Sequence, residues 1–199
     1  MRNVIAISLC CIMAGMLVSC KKGSQSGEAL ESGTARKGDP GYTYRIAVDK
    51  IQFNWSVENK NLRVKLAARN PGWVGIGFNP TDGMKDANFI LGYVKDGVAV
   101  ISNQHGVSST LHKKNEDIGG AGHVMNPSGM EKNGITEISF TIPLTTGGML
   151  DRPIDLNGNT AVLLAYGESK NLAQLHSFRA KLYVNLSNGS YSIVLMTGK

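Results

Sequence analysis

The chain has 199 residues, 21 of them basic and 15 acidic, with a formal net charge of +6 and 42% hydrophobic residues, a length that suits one domain with a sizeable core. The basic residues are scattered rather than gathered into a stripe, which excludes the footprint of a nucleic-acid binder and leaves anionic headgroups or an acidic protein face as what the surplus favours. The cysteines stand at positions 10, 11 and 20, so a domain downstream of them has none for a disulfide or a zinc thiolate site.

Arg2 opens a short positive region, and residues 4–18 are almost wholly apolar. That stretch is shorter than the ~20 residues of a membrane span and right for a secretory h-region, so residues 1–19 read as a signal peptide. Leu17-Val18-Ser19-Cys20 resembles a bacterial lipobox. The resemblance implies cleavage before Cys20 and lipidation of its thiol, and hence a bacterial cell-envelope protein, anchored to the membrane by lipid and facing the periplasm or the cell surface. From Cys20 to Gly41 the chain is built of flexible and charged residues without apolar periodicity. Residues 20–41 are predicted to be a tether, whose roughly 20 residues span about 25 Å as a coil.

Residues 42–199 carry the domain, and strand signals dominate them. Ile51–Val57, Leu62–Ala67 and Ile138–Ile142 alternate apolar and polar side chains, the pattern of a sheet with one buried face. Thr160–Tyr166 is a more continuous apolar run, expected to be buried on both sides, and short strands are predicted over 181–186 and 190–196. Residues 103–134 break the rhythm with His105, His112, His123, a charged run and Gly119-Gly120-Ala121-Gly122; a hairpin with a long irregular tip fits best. No 3.6-residue apolar stripe persists for a dozen residues. Many short strands with glycine and asparagine turns predict an all-β, antiparallel sandwich or barrel.

Residues 71–93 hold the most chemistry. Trp73, Ile76 and Phe78 are spaced by Gly75 and Gly77, which let another backbone or a flat ligand approach closely. Asn79, Pro80, Asp82 and Gly83 form turns. Met84 follows, its thioether a weak metal ligand or a flexible core filler, then Asp86, whose expected work is loop hydrogen bonding, and the strand Phe89-Ile90-Leu91-Gly92-Tyr93.

The Gly-Trp-x-Gly-x-Gly-Phe strand, the Met in the next loop, the Asp two residues later and a strand ending in a glycine and an aromatic resemble the DOMON domain. This is an extracytoplasmic, immunoglobulin-like antiparallel β-sandwich related to the cytochrome domain of cellobiose dehydrogenase. The resemblance covers roughly residues 43–187. In haem-binding members the Met is one axial ligand and a His near the C-terminal strands the other, which implies Met84 and His176 here. Leu175-His176-Ser177-Phe178-Arg179 is similar to the family's second ligand segment.

The resemblance thus implies non-covalent haem b held by Met84 and His176, with Trp73, Ile76, Phe78, Phe89, Leu91, Tyr93 and Leu175 lining the ring and Arg179 pairing a propionate. It also implies electron transfer to or from a redox partner protein or a membrane cytochrome. No nucleophile motif, phosphate-cradling loop or acid pair marks an enzyme. Two other readings remain open. A haem-free sandwich would bind a sugar or another small ligand through Trp55 or Trp73 and the 119–122 loop, and an adaptor lipoprotein would recruit a partner at the surface. The spacings of His105, His112 and His123 match no short metal motif, and solvated loop histidines are expected.

Overall fold

The computed structural model describes residues 30–194. The signal peptide, Cys20, the first part of the tether and the end of the last predicted strand lie outside the described residues. In chain order the strands are β1 (Leu30–Thr34), β2 (Arg36–Lys37), β3 (Tyr44–Val48), β4 (Ile51–Glu58), β5 (Asn61–Ala68), β6 (Trp73–Phe78) and β7 (Asn88–Lys95). They continue with β8 (Val98–Gly106), β9 (His112–Lys114), β10 (Met125–Lys132), β11 (Ile135–Pro143), β12 (Thr160–Gly167), β13 (Phe178–Val184) and β14 (Ser190–Val194). A short 3₁₀ turn, Asn115–Ile118, follows β9.

Two sheets form, and every pairing in them is antiparallel. The eight-stranded sheet runs β1-β14-β13-β12-β6-β7-β8-β9 and the six-stranded sheet β10-β11-β5-β4-β3-β2. Period-two alternation explains how they stack. Phe53 and Trp55, Leu62, Val64 and Leu66, and Ile138, Phe140 and Ile142 point inward from the six-stranded sheet. Val74, Ile76 and Phe78 meet them from β6, with Val162 and Leu164 from β12 and Leu182 from β13. Two of the tight hairpins are closed by Asp96-Gly97 and Asn133-Gly134, whose residues all have positive φ, as a type I′ turn requires. Trp55 is fully buried, stacks on Phe53 with ring centroids 4.7 Å apart, and donates its indole N–H to the Leu186 carbonyl at 2.9 Å.

Three expectations change. Leu30–Thr34 and Arg36–Lys37 are strands rather than tether. Thr34 pairs with Ser190 at the head of β14 and Lys37 with Tyr44 of β3, because each sheet would otherwise leave an edge row of backbone groups unpaired. The 103–134 segment is not a single hairpin. It makes the short β8–β9 pairing, then crosses to the other sheet as β10. The strand buried on both faces is β6 and not β12, which alternates buried and half-buried residues.

The outer faces of the two sheets differ. On the six-stranded sheet Lys65 pairs with Asp39 at 2.5 Å and with Glu137 at 3.5 Å, and Arg45 reaches Asp39 at 3.2 Å. On the eight-stranded sheet Trp73, Ala87, Phe89 and Leu91 form a second apolar cluster, with Met84, Tyr93, Leu163, Ala165 and Leu172 packed against it.

Replacing Trp55 by Ala removes a buried aromatic and leaves the Leu186 carbonyl without its donor, so denaturant unfolding should report a loss of about 3–5 kcal/mol. An unchanged midpoint would contradict the packing described. Hydrogen bonding from Lys65 holds the Asp39 carboxyl below its ordinary value of 3.8. Its contribution to stability is complete above that value and is lost as pH falls through the lowered one. Asp39→Asn should therefore flatten the acid limb of the stability–pH curve below about pH 4, measured by urea unfolding; parallel acid limbs in the two proteins would refute the ion pair.

Candidate functional site

The second apolar cluster rests on missing side chains. In β6 the odd positions Trp73, Gly75 and Gly77 face outward, away from the core. Opposite them in the ladder stand Leu91 and Phe89 of β7. A Cβ on Gly77 would lie 2.4 Å from the Phe89 ring, and one on Gly75 3.1 Å from Leu91 and 3.4 Å from the Trp73 indole. The glycines therefore let these side chains lie down on the sheet. The protein's own Phe89, Leu91 and Trp73 fill the space directly above them.

Two loops rise over this floor from opposite ends of β6. At its C-terminal end, residues 79–87 carry Met84. Within the loop the Thr81 amide donates to the Lys85 carbonyl at 2.9 Å and the Lys85 amide to the Asp82 carbonyl at 2.7 Å, while the Thr81 hydroxyl donates to Asp86 at 2.5 Å. That hydrogen bond holds the Asp86 carboxyl below the usual range. The loop then leans on the β8–β9 hairpin. The Met84 amide donates to the Ser109 carbonyl at 3.0 Å and the Asp86 amide to Gly106 at 2.7 Å. A Cβ on Gly106 would stand 1.6 Å from the Met84 carbonyl oxygen, so only glycine admits this approach.

At the other end of β6, Trp73 pairs with Gly167 at the end of β12, and residues 168–177 lead to His176. Buried Asn70 fixes the base of this loop, donating to the carbonyls of Gly167 at 2.7 Å and Trp73 at 3.3 Å. The Trp73 amide donates to Ser169, and the Ser177 amide to Tyr166 at 2.8 Å. Asn171 forms the turn between, its carboxamide oxygen accepting from the Ala173 amide. On the core side the Tyr166 hydroxyl donates to Asp49 at 2.5 Å, and burial together with that carboxylate pushes the phenol up to about 12.

Between the loops lies a cleft of about 650 Å³ lined by Trp73, Met84, Gln104, His112, Lys114, Leu172, Leu175, His176 and Arg179, among others. Met84 and His176 thus share one cavity with Trp73 and Arg179. Phe89 packs beneath, in the floor cluster. Tyr93 packs against that cluster but lines an adjoining polar groove of about 520 Å³ with Ser102, Asn103 and Asn115. Phe78 and Ile76 do not belong to the cleft. As even positions of β6 they face the core between the sheets, so their place among the ring-lining residues is corrected. Trp55, a candidate for stacking a sugar, is likewise sealed in the core.

Sequence reasoning passes over Gln104, Lys114 and Leu172, and it places His112 among solvated loop residues. In the structure β9 pairs with β8 and turns His112 into the cleft, tilted against Phe89 at 5.3 Å. Its Nδ1 and the Gln104 Oε1 are 2.5 Å apart. The apolar floor is the available signal: β8 pairs with a strand whose outward residues are aromatic, and a His at its hairpin partner lands above them. Burial keeps both the His112 and the His176 imidazole below their ordinary value, assisted at His176 by the Arg179 charge, so both are neutral at pH 7. His105 is also buried, with its Nδ1 unpartnered among the described residues.

An antiparallel sandwich whose outer face carries a loop-walled cleft defines the class. The DOMON domain model matches residues 48–167, and the chain belongs to that family. The cytochrome domain of cellobiose dehydrogenase from Myriococcum thermophilum has the same fold, with a TM-score of 0.54 and 11% identity over 86% of this chain and 90% of that one. The cytochrome b domain of pyranose dehydrogenase from Coprinopsis cinerea aligns with a TM-score of 0.48 and 15% identity over 66% and 74% of the two chains. DBH-like monooxygenase protein 1 of Mus musculus is 35% identical over 65 residues, 30% of this chain and only 11% of that protein's length. The family match includes Met84 and stops short of His176.

Gly106→Ala should force the Met84 loop away from β8, costing about 1–3 kcal/mol as overpacking does and accelerating hydrogen exchange at the Met84 amide. Gly122→Ala, where a Cβ meets nothing within 4 Å, should stay within about 0.5 kcal/mol. Equal effects of the two substitutions would show that the loop is not braced as described.

Proposed function

We propose that this DOMON domain binds haem b through Met84 and His176 and serves as a single-electron carrier, with no catalytic reaction of its own. The observation that carries the reading is that a thioether and a neutral imidazole, brought from loops at opposite ends of β6, line one cleft above an apolar floor. The donor set fits the group. Met84 and His176 would hold the iron, Trp73 and Leu172 would supply apolar wall, and Arg179 and Lys114, which line the same cleft, would pair the two propionates. When bound, the haem would supply one-electron chemistry.

The chain's own residues determine which chemistry that is. Met84 and His176 would hold the iron between them and leave no site for an added ligand, and a thioether paired with an imidazole would raise the potential relative to two imidazoles. Trp73 and the floor cluster keep water from one side of the cleft, lowering the local dielectric. The sugar-binding alternative loses Trp55 to the core and retains Trp73, which is 4% exposed and itself part of the floor.

The remaining parts of the reading concern address and partners. Cys20, as the acyl-bearing first residue of the mature chain, would hold the domain at a membrane of the bacterial cell envelope, facing the periplasm or the cell surface. There it would exchange electrons with a membrane cytochrome or a redox partner protein.

Purified protein titrated with haemin should take up one equivalent and give a six-coordinate, low-spin spectrum in both oxidation states. His176→Ala should weaken retention by at least about tenfold, the lower end of what losing a partner at a metal site costs. Failure of the wild type to bind haemin in stoichiometric amount would overturn the electron-transfer reading and leave the sugar-binding sandwich as the better account.

A further inference from the structure

His112 is unusual for a histidine in a surface hairpin, because its chemistry is already determined by its neighbours. The Gln104 amide nitrogen donates to the Ser102 hydroxyl at 3.1 Å, which turns the Gln104 carbonyl oxygen toward His112 at 2.5 Å from Nδ1. A carbonyl oxygen only accepts, so the imidazole carries its proton on Nδ1. Nε2 is left with a free lone pair, and among the described residues it has no hydrogen-bond partner and is not sealed from the cleft that the ring lines. An imidazole whose other nitrogen is anchored to a fixed oxygen is the arrangement that metal-binding histidines use to hold tautomer and orientation.

Its side of the cleft matters as much. Met84 is tied by its amide to Ser109 and pressed against Gly106, in the same hairpin that carries His112 opposite Gly106. His176 arrives from the other end of β6. We infer that His112 is a reserve axial ligand, standing on the Met84 side of the cleft and able to take the Met84 position opposite His176. The inference rests on the haem reading above. It gives the site two ligation states of different potential, thioether–imidazole and bis-imidazole, selected by whether the Met84 sulfur is available.

The test uses Met84→Leu, which conserves volume and so keeps the fold while removing the donor. Reconstituted with haemin, this variant should remain six-coordinate and low-spin, with a potential below that of the wild type, because the imidazole replaces a ligand that favours the ferrous state. Met84→Leu combined with His112→Phe should become five-coordinate and high-spin and should bind carbon monoxide readily. His112→Phe alone should keep the wild-type spectrum. A high-spin, carbon monoxide-binding Met84→Leu protein would overturn the reserve-ligand role while leaving the haem reading intact. A high-spin His112→Phe single variant would also overturn it, by making His112 the resident ligand. A wild type that takes up no haemin would end both claims together.

Discussion

The outer face of the eight-stranded sheet depends on the absence of side chains at Gly75 and Gly77. With any Cβ at Gly77 the Phe89 ring could not lie where it does, and Leu91 and Trp73 would be crowded off Gly75. Because these three side chains are sunk into the sheet, the space above them stays open and its floor stays apolar. The same device recurs at Gly106, where the missing Cβ lets the Met84 carbonyl touch β8. Both contacts are close approaches that only glycine permits, and together they set the height of the cleft and the position of one of its walls.

The two outer faces are thereby given different work. On the six-stranded sheet, Asp39, Arg45, Lys65 and Glu137 make a network of ion pairs across neighbouring strands. Burial pulls Lys65 down, yet Asp39 and Glu137 outweigh it and hold the ammonium above its ordinary value. The charges of that face are paired with one another. On the opposite face the charges that line the cleft, among the described residues, are the cations Lys114 and Arg179, while its histidines are kept neutral. The cleft therefore combines an apolar floor with two cationic side chains in its lining.

The loops differ in how they are held. The Met84 loop is clamped by short backbone hydrogen bonds to the next hairpin and carries Asn79, Gly83 and Asp86 at positive φ. The His176 loop is fixed at its base by Asn70 and at its end by Ser177, with a single Asn171 turn between. Its apex is open: Leu175 is 82% exposed. The Met84 loop is thus bonded through its backbone to the neighbouring hairpin, and the His176 loop is held from its flanks by Asn70, by the Lys170–Glu131 ion pair and by Leu172 on the floor cluster.

Local pattern was enough for the all-β class, for most strands of the domain and for the Met84 loop, because period-two alternation and asparagine–glycine turns are written within a few residues of each other. It also pointed to Met84 and His176, through a resemblance rather than through spacing, and the two residues line one cleft. What it could not decide was which face each residue of a fully apolar strand presents. Trp73 and Phe78 look alike in sequence, and only their register against β7 and β12 sends the first to the cleft and the second to the core. For the same reason β6, rather than β12, is the strand buried on both sides, since the cover comes from Phe89 and Leu91 of its neighbour. His112 was illegible because its role rests on pairing with β8 and on a hydrogen bond to Gln104. The strand pairing of residues 30–37 was illegible because their composition is that of a linker, and only the unpaired edges of two finished sheets make strands of them. Periodicity records what a residue's own neighbours allow; the face it occupies is set by strands distant in the chain.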